Sequence, residues 1–319
     1  MLRATILSAI AFLVGASLAP AAPPAIATMA PGSRVMGDAH NCYPYNGKWS
    51  NRLDRALALG GPVAIEQDLA TYTNRLTGEI VVVVSHDPKG RPSDPTLRDY
   101  FFERIRPQME AALRAGNQGD WPLITLNLDL KSERPAELAA IWKVLAEYQD
   151  WMTTAPRTAN LETAQPLDIK PLLVLTGSSN RQRVRFYDDV PIGGRLLAFG
   201  AVPAGNLFAV ADNYHRWSNH NWSALEARWP FWAAQWSTPK QKRLDAMVAS
   251  EHARGLWTRV YCLDGESGVE RRRNGWSWDA NFGSVPAVQK RWQAAISAGV
   301  DFIATDQYEG LAALLAHDH

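Results

Sequence analysis

The chain has 319 residues, 46% of them hydrophobic and 20% charged, which excludes intrinsic disorder and an extended coiled coil as its organising theme. Basic and acidic residues nearly cancel, 33 against 32, so no broad cationic surface for a nucleic-acid backbone is expected.

The first stretch, "MLRATILSAIAFLVGASLAPAAPPA", has a basic start at Arg3, an apolar run from Ile6 to Leu18, and small residues at Ala19 and Ala21. It reads as a secretory signal peptide over residues 1–21, cut near Ala21, for a secreted or periplasmic protein. The apolar run is shorter than the ~20 residues a spanning helix needs. A Pro/Ala-rich linker follows over residues 22–33, and one domain is expected over 34–319. In an exported chain a disulfide between Cys42 and Cys262 is chemically permitted. Two cysteines are too few for a disulfide scaffold or a cysteine-ligated zinc site, so the fold must rest on its core.

"SRVMGDAHN" reads as a strand, "WSNRLDRALALGG" as a helix with a Gly stop, and "PVAIEQDLA" as the next strand, which makes a βαβ unit. "GEIVVVVSHD" is a further extended run, read as a hairpin insertion after the turn residues of "TYTNRLTG". A helix is expected from about Leu97 to Ala115, then the strand "PLITLNLDLKS", then the helix "PAELAAIWKVLAEYQDW" with Pro135 near its start. Later strand candidates are "KPLLVLTG", either "RLLAFGA" or "NLFAVAD", "LWTRVYCLD" and "VDFIATD", with helices at about Pro239–Gly255 and Val285–Ala298. About eight strands alternating with helices over ~250 residues or more indicate an α/β fold, a TIM (β/α)₈ barrel rather than an open sheet.

Barrel enzymes carry their chemistry at the C-terminal ends of the strands, and polar residues gather there. His40 and Asn41 end the first strand and His86 ends "VVVVSHD". Alternation puts Glu66 and Asp68 on one face of "VAIEQDLA", and Asn127, Asp129 and Lys131 on one face of "TLNLDLK". Three acids aimed at one barrel mouth repel unless a cation sits among them. Their oxygens, with an amide oxygen from Asn41, suit Mg²⁺ or Ca²⁺ better than zinc, which leaves the two histidines free as acid and base.

"AHN", "IEQD", "SHD", "LDLK" and the closing "GVDFIATD" together resemble the metal-dependent PLC-like phosphodiesterase superfamily, which includes glycerophosphodiester phosphodiesterases, phosphatidylinositol-specific phospholipases C and sphingomyelinase D. The resemblance spans roughly Arg34 to Asp306, is specific in its first hundred residues, and is lost from about Trp151 to Arg254. It implies that His40 and His86 act as general acid and base, that Glu66, Asp68 and Asp129 hold the cation, and that Lys131 contacts the phosphate. His40-Asn41 is similar to eukaryotic phospholipase C, whose Asn binds metal, and the D-x-K of Asp129 and Lys131 is similar to sphingomyelinase D. These departures from the usual glycerophosphodiesterase pattern bear on the substrate more than on the reaction class.

The expected function is therefore an exported, metal-dependent phosphodiesterase acting on a small-molecule or lipid diester, with transient membrane-surface contact and neither nucleic acid nor a protein partner implied. A secreted TIM-barrel glycoside hydrolase is the alternative, since paired carboxylates and many Trp residues also fit it. A non-catalytic headgroup-binding module on the same barrel is the third reading. Tyr261 and Asp306, at the ends of late strands, are candidates to line the pocket, with nothing local to separate them from supporting residues. Trp217, Trp222, Trp229, Trp232 and Trp236 read as core packing, His215 and His220 as loop residues, and "RQRVRF" and "ERRRN" as solvated faces.

Overall fold

A computed structural model describes residues 29–45, 47–116, 120–203, 205–226, 236–274 and 281–316. The expected signal peptide, the linker before residue 29, and Trp229 and Trp232 lie outside them.

The strands in chain order are β1 (Met36–Ala39), β2 (Val63–Thr73), β3 (Ile80–Val84), β4 (Ile124–Leu130), β5 (Ala155–Pro156), β6 (Leu172–Thr176), β7 (Arg195–Leu196), β8 (Phe199–Ala201), β9 (His215–Asn221), β10 (Trp257–Tyr261) and β11 (Phe302–Thr305). The helices are α1 (Arg52–Ala58), α2 (Glu103–Ala115), α3 (Pro135–Glu147), α4 (Asn180–Arg183), α5 (Thr238–Ala253), α6 (Gly268–Asn274), α7 (Val285–Ala298) and α8 (Tyr308–Leu315). Parallel pairing runs β1-β2-β4-β6-β8-β9-β10-β11 and returns to β1, so eight strands close a (β/α)₈ barrel.

β3 stands outside this ring. It pairs antiparallel with the far end of β2, Leu69 to Thr73, and is the inserted hairpin. The hairpin returns the chain towards the barrel, and Ser85 N donates to Asp68 O at 2.9 Å, so His86 emerges level with the acids of β2.

Both faces of β2 are buried from Val63 to Ala70, as expected of a parallel strand with helices outside and other strands' side chains inside. Val63, Ile65 and Leu69 join Leu53 and Ala56 of α1 and Leu126 and Leu128 of β4 in the larger core. The second core joins Leu244 and Val248 of α5, Val288 and Trp292 of α7, and Ile303 of β11. Truncating a fully buried leucine such as Leu126 to Ala typically costs about 2–5 kcal/mol. At the N-terminal end of the barrel, Trp257 Nε1 donates to Met29 O at 2.8 Å and Gly32 N to Asp301 Oδ1 at 2.7 Å, which pins the entering chain beneath the strands.

Several sequence expectations need correction. "HRWSNHN" is barrel strand β9, not a loop: Trp217 lines the interior, while Ser218 and His220 point outward and bond to Glu251 of α5. Of the two rival runs, "RLLAFGA" supplies β8 and "NLFAVAD" is irregular. "ERRRN" is not wholly a solvated face, since Arg271 is buried. Cys42 and Cys262 are not joined by a disulfide.

Candidate active site at the barrel mouth

Glu66, Asp68 and Asp129 converge, with one oxygen from each lying within 4.8 Å of the others. Strand register explains the convergence: Asp68 of β2 is the direct partner of Asp129 on β4, and Glu66 is the partner of Asn127. Asp68 is 2% exposed, whereas the Asp129 side chain is 51% exposed, so the group runs from the barrel interior to solvent.

Lys131 Nζ lies 2.7 Å from both Asp68 Oδ2 and Asp129 Oδ2. Only the contact with Asp129 is an aligned hydrogen bond, which leaves the buried Asp68 Oδ2 with an ion pair alone. Burial, with the charges of Glu66 and Asp129, pushes the Asp68 carboxyl up to about 7. Burial also opposes the charge on Glu66, but His40, Arg259 and the Asn41 N–H outweigh it and hold Glu66 below the usual carboxylate range.

His40 follows β1, and its two ring nitrogens face two acids. Nδ1 lies 2.9 Å from Asp306 Oδ1, and Nε2 lies 3.5 Å from Glu66 Oε2. Burial opposes protonation, yet Glu66 and Asp306 raise the His40 pKa to about 10. Asp306 is itself fixed by Arg52 at 3.2 Å and by the Asn41 amide at 3.0 Å. Its backbone N–H donates to Asp264 Oδ1 at 2.7 Å.

Asn41 has a left-handed backbone, φ 50°, which Asn tolerates better than most residues and which turns its own N–H onto Glu66 Oε2 at 3.0 Å. Its side chain accepts from Tyr43, donates to Asp306 and lies 2.8 Å from His40 Nδ1, and none of these bonds goes to the three clustered acids. His86 is exposed at the mouth, with its ring edge-on to Tyr45 at 5.5 Å. Partial withdrawal from water and the charge of Lys131 lower its pKa. Tyr261 stacks towards His40, with ring centroids 6.3 Å apart.

Sequence reading did not single out Arg259. This residue of β10 is 1% exposed, in the middle of the barrel, bonded to Asp38 Oδ2 and to Asn219 Oδ1 and 3.4 Å from Glu66 Oε1. A charge inside a strand ordinarily marks a solvent face, and only its register beside β9 and β11 reveals that it points inward. The result is a line of alternating charge through the barrel: Asp38, Arg259, Glu66, His40, Asp306 and Arg52.

These residues fit a hard divalent cation. The three acids offer only oxygen ligands, one of them the buried Asp68 Oδ2, and burial together with the charges of Glu66 and Asp129 raises the Asp68 pKa despite the opposing charge of Lys131. Beside the acids lies a cavity of about 230 Å³ whose lining includes His40, Glu66, Asn127, Trp217, Asn219 and Tyr261. A second cavity of about 220 Å³ lies away from these groups, between β1 and helix α8, and carries no comparable cluster.

No protein-family model matches the chain, and no curated protein matches it by sequence. Among solved structures, it is similar to a glycerophosphoryl diester phosphodiesterase from Parabacteroides distasonis, with 14% identity and a TM-score of 0.42 over 89% of this chain and 86% of that one. It is also similar to a tri-modular GH5 endo-β-1,4-glucanase from Bacillus licheniformis, with 13% identity and a TM-score of 0.43 over 88% of this chain and 54% of that one. Likenesses at this level do not separate the two chemistries, and the barrel is established by its own strand pairing.

Proposed function

We propose that this protein is an exported phosphodiesterase that uses a divalent cation, Mg²⁺ or Ca²⁺, to cleave a glycerophosphodiester or phospholipid-like diester. The observation that carries the reading is the convergence of Glu66, Asp68 and Asp129 beside His40 and Lys131 at the barrel mouth. A bound cation supplies neutralisation of phosphate oxygens as charge moves in the transition state. Lys131 adds a second positive charge for the same oxygens. Of His40 and His86, one removes the proton of the attacking oxygen and the other protonates the leaving alkoxide. Asp306 and Glu66 keep the His40 ring in one orientation for its part in this.

The leader sequence supports export, and contact with a lipid surface belongs to the same proposal. No helix among the described residues is long and apolar enough to cross a membrane. One observation favours a glycoside hydrolase instead: the neighbouring carboxyls of Glu66 and Asp68 are pushed apart in pKa, as an acid and nucleophile pair requires. That chemistry needs no cation. Hydrolysis of bis(p-nitrophenyl) phosphate that disappears with a chelator and returns with Mg²⁺ or Ca²⁺ supports the phosphodiesterase. Cleavage of nitrophenyl glycosides that ignores chelator supports the rival.

A further inference from the structure

The two histidines of the proposed pair are held in different ways. His40 is fixed between Asp306 and Glu66, whereas the exposed His86 ring makes no hydrogen bond or ion pair to another described residue. An imidazole left to solvent exchanges among rotamers and keeps a reactive orientation for only part of the time. Tyr45 is the ring that meets it, 5.5 Å away between centroids and tilted by 67°, an edge-to-face contact.

Tyr45 is placed by the loop that joins β1 to α1. Its N–H donates to Lys48 O at 3.1 Å and its carbonyl accepts from Lys48 N at 2.9 Å, which closes a tight turn. Directly after the turn, Trp49 has φ 63°, a left-handed backbone that is costly for a bulky residue and persists only where its surroundings enforce it. The Trp49 ring lies nearly parallel to that of Tyr45, at 17° and 5.9 Å. The Arg52 guanidinium lies 4.4 Å from the Trp49 ring centroid, and the same guanidinium holds Asp306 at 3.2 Å. A chain of contacts therefore runs from Asp306 through Arg52, Trp49 and Tyr45 to His86.

We propose that Tyr45 is a positioning residue for His86, backed by Trp49 and Arg52, so that one loop orients both imidazoles. The inference rests on the phosphodiesterase reading and goes beyond it in assigning what holds the second histidine. Tyr45 is not part of the lining of the cavity beside the acids, so its loss should act on turnover rather than on substrate binding.

The test uses the folded mature chain with Mg²⁺ or Ca²⁺ and two diesters whose leaving alkoxides need a proton, sn-glycero-3-phosphocholine and lysophosphatidylcholine. Tyr45→Leu removes the ring and should lower kcat by about tenfold or more, with KM within about twofold of the parent. Tyr45→Phe keeps the ring and should recover most of that loss. In a His86→Gln background, Tyr45→Leu should change kcat by less than about twofold, because it acts through a group already gone. Independently of activity, the NMR spectrum of the parent should show nuclear Overhauser contacts between the ring protons of Tyr45 and His86.

Losses that multiply in the double variant, or a change confined to KM, overturn the positioning role. So does a parent spectrum without the Tyr45–His86 contact. A parent that shows the contact but cleaves no diester keeps the orientation of His86 by Tyr45 and rejects the phosphodiesterase. Chelator-sensitive cleavage that Tyr45→Leu leaves intact does the reverse.

Discussion

His40 and Asp306, 266 residues apart, meet at the seam where the last strand of the barrel closes on the first: His40 Nδ1 lies 2.9 Å from Asp306 Oδ1. The seam is held by the parallel pairing of β1 with β11 and by His40 N donating to Thr305 O at 3.2 Å. The orientation of the proposed catalytic imidazole is thus set by closure of the barrel. Asp306→Asn keeps the shape of the side chain and removes its charge, so kcat is expected to fall by about 10²-fold or more with KM little changed. Steady-state kinetics on a chelator-sensitive diester substrate checks this, and a change confined to KM would place Asp306 in binding instead.

Removing one acid of the cluster should weaken cation binding, because affinity follows the number of charged oxygen ligands. Asp68→Asn is expected to lower Mg²⁺ or Ca²⁺ affinity by more than about tenfold by calorimetry. The parent should gain thermal stability on addition of the cation, and this gain should shrink in the variant. An unchanged affinity removes Asp68 from the ligand set.

Arg259 balances Asp38 and Glu66 in the barrel interior. Breaking a buried charge pair by removing one partner costs about 3–5 kcal/mol, so Arg259→Met should lower urea stability by that order. Asp38→Asn added to it should recover part of the loss, as expected for groups in one network.

The His40 pKa, raised to about 10 from 6.5, gives a pH signature. A group whose pKa is higher in the folded state contributes stability fully below its unfolded pKa and loses it as pH rises through the folded value. The stability difference between the parent and His40→Gln is therefore expected to be largest below pH 6.5 and to shrink as pH approaches about 10. Denaturant titrations across that window test it, and a difference that grows with pH contradicts the assignment.

Much of the barrel is legible in the chain because most strands are apolar runs bounded by turn residues. β9 is not, because "HRWSNHN" places polar residues on both faces: Asn219 faces the cavity and His220 bonds Glu251 of α5. With neither face uniformly apolar, its period-2 signal vanishes. The acids of β2 and β4 are legible, since two carboxylates on one face of a buried strand need an explanation. The partners that complete the site are not. Asp306 is an ordinary acid at a strand end until closure brings it to His40, and Arg259 acquires its role only from strand register. His86 is readable as a strand-end histidine, but its place beside the acids depends on the β3 hairpin running back towards Asp68.

The central claim is a cation-dependent cleavage of a phosphodiester at the His40 and Glu66 end of the barrel. ³¹P NMR of the mature protein with pooled glycerophosphodiesters, lysophospholipids and sphingomyelin, with Mg²⁺ or Ca²⁺ and then with chelator, tests it most directly. New monoester or cyclic-phosphate resonances that vanish with chelator and in His40→Gln are the predicted result. Resonances unchanged under either cation, or cleavage that persists in chelator, would contradict it.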